Sequence, residues 1–176
     1  MNAKYIRNII IIIGIIFIAA VAFGLLQQMK VSKEGVADYL EEMAPVAQAH
    51  IKWRQDYNEL TELYDTLSLN QKLEQLNLLL NRMEAIRLNV DASAPPGALS
   101  YIQSKWNDEC FQTTQGIYNI TLGLTLNNAN YITQGYELLV EADTAHQQWQ
   151  DELSKILDDN DIELTETVYN SYFSQG

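Results

Sequence analysis

Apolar residues recur every three or four positions along most of this 176-residue chain, which places them on one face of an α-helix. The longest stretch keeps its register for 32 residues and continues across Pro45. That proline predicts a kink or the first turn of a new helix. The stretch consists of Val36, Tyr39, Met43, Val46, His50, Trp53, Tyr57, Leu60, Tyr64 and Leu67.

Three further helices are predicted, and each is bounded by a recognisable break. Residues 68–71 form a capping-box pattern, residues 92–97 contain two prolines, and residues 127–130 form a polar turn with a possible N-cap. Short connections make neighbouring helices antiparallel. We therefore predict an all-α fold in which residues 33–158 form a bundle of about four long helices, packed like a coiled coil. Gly116 and Gly123, seven residues apart on the third helix, are expected to let a neighbouring helix approach closely.

The N-terminal segment predicts a membrane anchor. Residues 9–26 are an 18-residue apolar run, which is long enough to span a bilayer as a helix. We predict a short tail at residues 1–8 and a transmembrane helix at residues 9–27. Flanking charges favour a single-pass protein of the cell membrane, with a cytoplasmic N-terminus and an extracytoplasmic helical domain. The alternative is a cleaved signal peptide and a secreted domain, since residues 20–22 fit a cleavage pattern.

The charge of the chain argues against nucleic-acid binding. The net charge is −12, and residues 27–176 carry 9 basic against 23 acidic side chains. Such a surface repels phosphate backbones. Its simplest explanation is a well-solvated surface.

One local pattern recurs in three of the predicted helices. It consists of a polar residue, a tryptophan three positions later and an acid three positions after that. The matches are His50-x-x-Trp53-x-x-Asp56, Gln103-x-x-Trp106-x-x-Glu109 and His146-x-x-Trp149-x-x-Glu152. His50 and His146 on separate helices are candidate cofactor ligands, since two histidines can hold a haem iron. The alternative, which we favour, is that both histidines fill core positions in their apolar stripes. We predict no bound cofactor and no metal site.

The C-terminal tail, residues 159–176, is acidic and then aromatic. It either packs back on the bundle or docks on a partner. Aromatic residues along the chain suit a core or an interface equally, because tyrosine and tryptophan are frequent in both. The candidates are Trp53, Trp106, Trp149, Tyr57, Tyr64, Tyr172 and Phe173.

No catalytic motif is present in the sequence: it contains no zinc-protease motif, no phosphate-binding glycine loop and no nucleophile elbow. We therefore expect a non-catalytic protein. The first hypothesis is a membrane-anchored interaction protein, an accessory subunit or scaffold, with the lipid bilayer and an unidentified protein as partners. The alternative is an extracytoplasmic bundle that binds a ligand or cofactor, as sensor domains do.

Overall fold

The computed structural model describes residues 32–174, and this part of the chain is all helical. Four long helices are followed by a short one. They are α1 (Lys33–Leu63), α2 (Leu69–Ala92), α3 (Ser100–Leu126), α4 (Ala129–Asp159) and α5 (Glu166–Phe173). The predicted all-helical bundle is therefore confirmed at this level.

Helices α1 and α2 form an antiparallel pair joined by the turn Tyr64–Thr66. Pro45 lies inside α1, which runs through it as one helix. The predicted capping box at the start of α2 is present: Ser68 accepts from the backbone of Gln71, and the Gln71 side chain accepts from the backbone of Ser68. The Trp53 indole ties the pair together by donating to the Leu79 carbonyl at 2.7 Å.

Helices α3 and α4 pack against each other more extensively than any other pair, because glycines remove side chains from their interface. A Cβ atom built on Gly116 would lie 2.9 Å from the carbonyl oxygen of Gly135. A Cβ atom on Gly123 would lie 2.8 Å from the backbone nitrogen of Ile132. The predicted close approach at Gly116 and Gly123 is thus confirmed: Gly116 faces Gly135 of α4, and Gly123 faces Ile132. The turn between the helices has Asn127 in the left-handed region, at φ 51°, and Asn128 as the N-cap of α4.

The predicted apolar stripes supply most of the core. The stripe predicted for the third helix is buried except at its last residue; it consists of Leu99, Ile102, Trp106, Cys110, Thr113, Ile117, Ile120 and Leu124. In α1 the buried face also includes Leu40, Ala44 and Ala47. An α-helix rotates slowly relative to a strict seven-residue repeat, so positions next to the stripe turn towards the core along the helix. The small alanine side chains fit there.

Helix α5 packs back on the bundle, in the seam between α1 and α4. Tyr172 is buried; its hydroxyl donates to the Leu40 carbonyl of α1 at 2.8 Å. Its own carbonyl accepts from the Gln150 side chain of α4. Helices α1 and α4 approach each other less closely than the other neighbours do. The tail therefore closes one half of this seam and leaves the other half open.

No helix within residues 32–174 is long and apolar enough to cross a membrane. The anchor predicted at residues 9–27, and the tail at residues 1–8, lie outside the residues that the structure describes.

Candidate functional site: a buried carboxylate behind a helical cleft

Glu109 is the centre of the most polar part of the core. Glu109 lies on α3 and is only 1% exposed. Side chains from α1 and α4 surround it. The Trp149 indole donates to Glu109 Oε2 at 2.6 Å, and His146 Nδ1 lies 3.1 Å from Oε1 and 3.2 Å from Oε2. His50 Nε2 lies 3.0 Å from Oε1. A buried carboxylate is stable only when such donors replace its water.

The ionisation of Glu109 is set by these neighbours. Burial alone would raise its pKa, but the ring nitrogens of His50 and His146 that face the carboxylate outweigh burial. Together they hold the pKa of this carboxyl well below its usual range. Glu109 is therefore a carboxylate at neutral pH.

The protonation of His50 is fixed by a second tryptophan. The Trp106 indole donates to His50 Nδ1 at 3.1 Å, and the two ring planes are 23° from parallel. An indole nitrogen can only donate, so His50 Nδ1 carries no proton and the ring proton is on Nε2. That Nε2–H faces Glu109 closely, although it is not aligned as a linear hydrogen bond.

Arg54 connects this buried cluster to the surface. Its Nη1 lies 3.6 Å from Glu109 Oε1, and its Nη2 donates to Asp143 Oδ1 of α4 at 2.5 Å. The guanidinium therefore lies between a buried and an exposed carboxylate. It is held at the inner wall of the open half of the α1–α4 seam.

Two adjoining pockets occupy that open half, and we call them together the α1–α4 cleft. The first, about 240 Å³, lies in front of the cluster and is lined by Trp53, Arg54, Tyr57, Asn58, Thr113, Leu139, Ala142 and Asp143. The second, about 260 Å³, is lined by Tyr57, Leu60, Thr61, Tyr64, Asp65, Leu76, Ile120 and Tyr136. Tyr57, stacked on Trp53 at 5.4 Å, belongs to both pockets and divides the cleft.

The sequence matches no known family model, and no curated protein or solved structure is significantly similar to it. The functional interpretation therefore depends on the residues of the site itself.

The cluster has the composition of a metal centre but not its hydrogen bonding. His50, Glu109 and His146 bring three ligand atoms within 4.8 Å of one another, and two histidines with one carboxylate bind iron or zinc in many proteins. A histidine that binds a metal through Nε2 donates a proton from Nδ1. Here Trp106 donates to that Nδ1, and Arg54 adds a positive charge beside the carboxylate. These contacts favour a hydrogen-bonded network over a metal centre.

The arrangement also leaves no space for a haem between the two candidate histidines. The rings of His50 and His146 are in edge-to-face contact, with centroids 5.4 Å apart, and both contact Glu109. A macrocycle between them would have to displace that carboxylate.

The candidate aromatic residues divide between the core and the cleft. Trp53, Trp106, Trp149 and Tyr172 are buried within this chain, so they are not an exposed interface. Tyr57 and Tyr64 are half-buried and line the cleft, and Phe173 is half-buried beside Tyr169 on α5.

Sequence reasoning located both histidines but missed what joins them. Glu109 appeared only as the third member of the recurring pattern, and Arg54 did not appear at all. A weaker signal for Glu109 was present: it lies three residues after Trp106 and four before Thr113, a spacing that places it on the same helix face as both. The other two acids of the pattern play no part in the cluster: Asp56 pairs with Lys52 and Arg82, and Glu152 is half-buried elsewhere on α4.

Proposed function

We propose that this protein is a membrane-tethered, non-catalytic binding protein whose α1–α4 cleft holds a small molecule. The anchor is the apolar segment at residues 9–27, and the helical domain lies outside the cytoplasm. This is the sensor-like alternative of the sequence analysis.

The observation that carries the proposal is the position of the cleft directly in front of the Glu109 cluster. Small-molecule sites are concave, largely apolar and equipped with a few fixed polar groups. The cleft has an apolar and aromatic wall around Tyr57, and polar groups at Arg54, Asn58 and Thr113. Bundles commonly build their ligand sites between helices from inward-facing side chains.

The Glu109 cluster supports this role by fixing Arg54. Long cationic side chains lose rotamer freedom when they bind, and a guanidinium already held by two carboxylates has lost most of it. The network therefore prepares one polar wall of the cleft before any ligand arrives. That is a reason for a bundle to keep an otherwise costly buried charge.

A bulky side chain placed inside the cleft tests the proposal, because it would block a ligand. Asn58 is exposed and lines the cleft, whereas the control position Asn81 is exposed on α2, away from the cleft. We expect some members of a small-molecule library to raise the melting temperature of the full-length protein in detergent. The Asn58→Trp variant should lose the shifts of compounds that occupy the first pocket, and the Asn81→Trp variant should keep them.

Two results would contradict the proposal. One is a library in which no compound stabilises the wild-type protein. The other is a set of stabilising compounds whose effect is unchanged both in Asn58→Trp and in Tyr136→Leu, because those compounds would bind outside both pockets of the cleft.

A protein-interaction role, as an accessory subunit or scaffold, is the second candidate. Exposed leucines favour it at the end of the bundle that carries the α1–α2 and α3–α4 turns. Leu63, Leu69 and Leu126 are each more than half exposed there, at 56%, 51% and 58%. The buried tryptophans no longer support this role, which now depends on exposed apolar residues such as these leucines.

A further inference from the structure

The pocket of the cleft that lies farther from Glu109 is unusually rich in tyrosine. Tyr57 and Tyr64 contribute from α1 and its terminal turn, and Tyr136 contributes from α4. The buried side chains of Leu76 and Ile120 form the floor. We call this the tyrosine pocket. Three aromatic rings around one apolar floor offer several ring faces to a ligand.

Tyr57 and Tyr64 remain neutral in this pocket. Burial, and then the neighbouring phenols of Tyr136 and Tyr64, raise the pKa of Tyr57 to about 12. Burial and the proximity of Tyr136 also raise the pKa of Tyr64. Tyr57 and Tyr64 therefore present uncharged, electron-rich rings to this pocket at physiological pH.

The charged groups nearest the tyrosine pocket are one of each sign, Asp65 in its lining and the Lys72 ammonium on the Tyr64 ring, whereas the domain as a whole is strongly acidic. Asp65 is the one charged residue that lines the pocket. In the neighbouring pocket, Arg54 is already matched by Asp143 and Glu109. The whole segment from residue 27 onward carries 23 acidic and 9 basic side chains. An anionic ligand would meet repulsion from this field, and a cation would be attracted.

One cation already uses a ring of this pocket. The Lys72 ammonium lies 4.2 Å from the centroid of the Tyr64 ring, within the range of a cation–π interaction. Lys72 comes from α2 and does not line the pocket itself. Its position shows that an ammonium group can rest on this tyrosine.

From this combination of rings and charge we infer that the tyrosine pocket binds a small organic cation, a substituted ammonium with an apolar body. The ammonium group lies among Tyr57, Tyr64 and Tyr136, and Asp65 compensates its charge. Aromatic cages of this kind recognise substituted ammonium groups through the ring quadrupole. The inference rests on the proposed ligand-binding role of the cleft and specifies the ligand class.

A pair of probes that differ only in charge tests the inference. The probes are choline and the uncharged alcohol in which carbon replaces the choline nitrogen. Dissociation constants are measured by NMR titration of the full-length protein, in a detergent without choline headgroups. We expect choline to bind about tenfold more tightly than its uncharged isostere, which corresponds to a cation–π contribution of ordinary size.

Matched variants locate the binding. Tyr136 is 44% exposed, and Tyr118, on α3 and outside the cleft, is 49% exposed. Tyr136→Leu should weaken choline binding about fivefold, and Tyr136→Phe should restore it to within about twofold, because the ring is what matters. Tyr118→Leu should leave it unchanged.

The outcomes separate this inference from the function on which it rests. If the isostere binds as tightly as choline, or Tyr136→Leu has no effect, the cation inference is wrong. If choline fails to bind but library compounds stabilise the wild type and not Asn58→Trp, the cleft is a ligand site for another class of molecule. If no compound binds in either experiment, both proposals fail.

Discussion

Replacing Glu109 by alanine is expected to lower the free energy of unfolding by about 3–5 kcal/mol. The substitution leaves the Trp149 indole and the His146 Nδ1–H buried without an acceptor, and it removes the charge that faces His50 Nε2. Each orphaned donor costs about 1–3 kcal/mol, and the deleted side chain leaves a cavity as well. Chemical denaturation followed by circular dichroism measures the change.

The matched control is the neighbouring exposed residue, Asp108. Asp108→Ala should change stability by less than about 0.5 kcal/mol. The effect at Glu109 also has a defined pH dependence. Folding lowers its pKa below the ordinary value of 4.5, so its contribution is fully present above pH 4.5 and is lost as the pH falls towards the folded-state pKa. The difference between wild type and Glu109→Ala should shrink over that range, and a loss below 1 kcal/mol at neutral pH would contradict our interpretation.

Adding one methyl group at Gly135 is expected to cost about 2–3 kcal/mol, near the upper end of overpacking effects. A Cβ atom there would lie 2.6 Å from the Gly116 carbonyl oxygen and 2.6 Å from Ile120 Cγ1. The obstacle is partly backbone, so α3 and α4 must move apart to make room. Thermal and chemical unfolding of Gly135→Ala measure the cost.

Gly97 provides the control for this substitution. A Cβ atom on Gly97 would meet no other atom within 4 Å. Gly97→Ala should therefore be neutral or slightly stabilising, because alanine reduces the freedom of the unfolded chain. Equal effects at Gly97 and Gly135 would mean that α3 and α4 are not packed as closely as described.

The fold was largely predictable because the sequence signals that define helices lie within a few residues of one another. The stripe of α3, the capping box at Ser68 and the polar turn at Asn127 are each set by residues close together in sequence. The docking of α5 was not determined in this way, since the sequence left open whether the tail packs back. Its place depends on contacts between Tyr172 and Leu40, 132 residues apart.

The candidate site was predictable only in part, because its members meet through tertiary packing. His50 and His146 stood out as polar residues in apolar stripes. The sequence alone did not distinguish Glu109 from the other acidic residues of the chain, which number 23 in all and mostly belong on polar helix faces. Arg54 is positioned at the cleft by its ion pair with Asp143 of α4, and no local sequence pattern links positions 54 and 143. The cleft itself arises because α5 is too short to fill the whole seam between α1 and α4.

The histidine tautomers test the central claim most directly, namely that Glu109 joins His50 and His146 in a hydrogen-bonded network at the wall of the cleft. NMR of the ring nitrogens in histidine-labelled protein reports which nitrogen carries the proton. We predict His50 protonated at Nε2, with Nδ1 accepting from Trp106, and no change when Zn²⁺ is added. A proton on His50 Nδ1, or ring shifts that follow Zn²⁺ binding, would instead establish a metal centre and contradict the network described here.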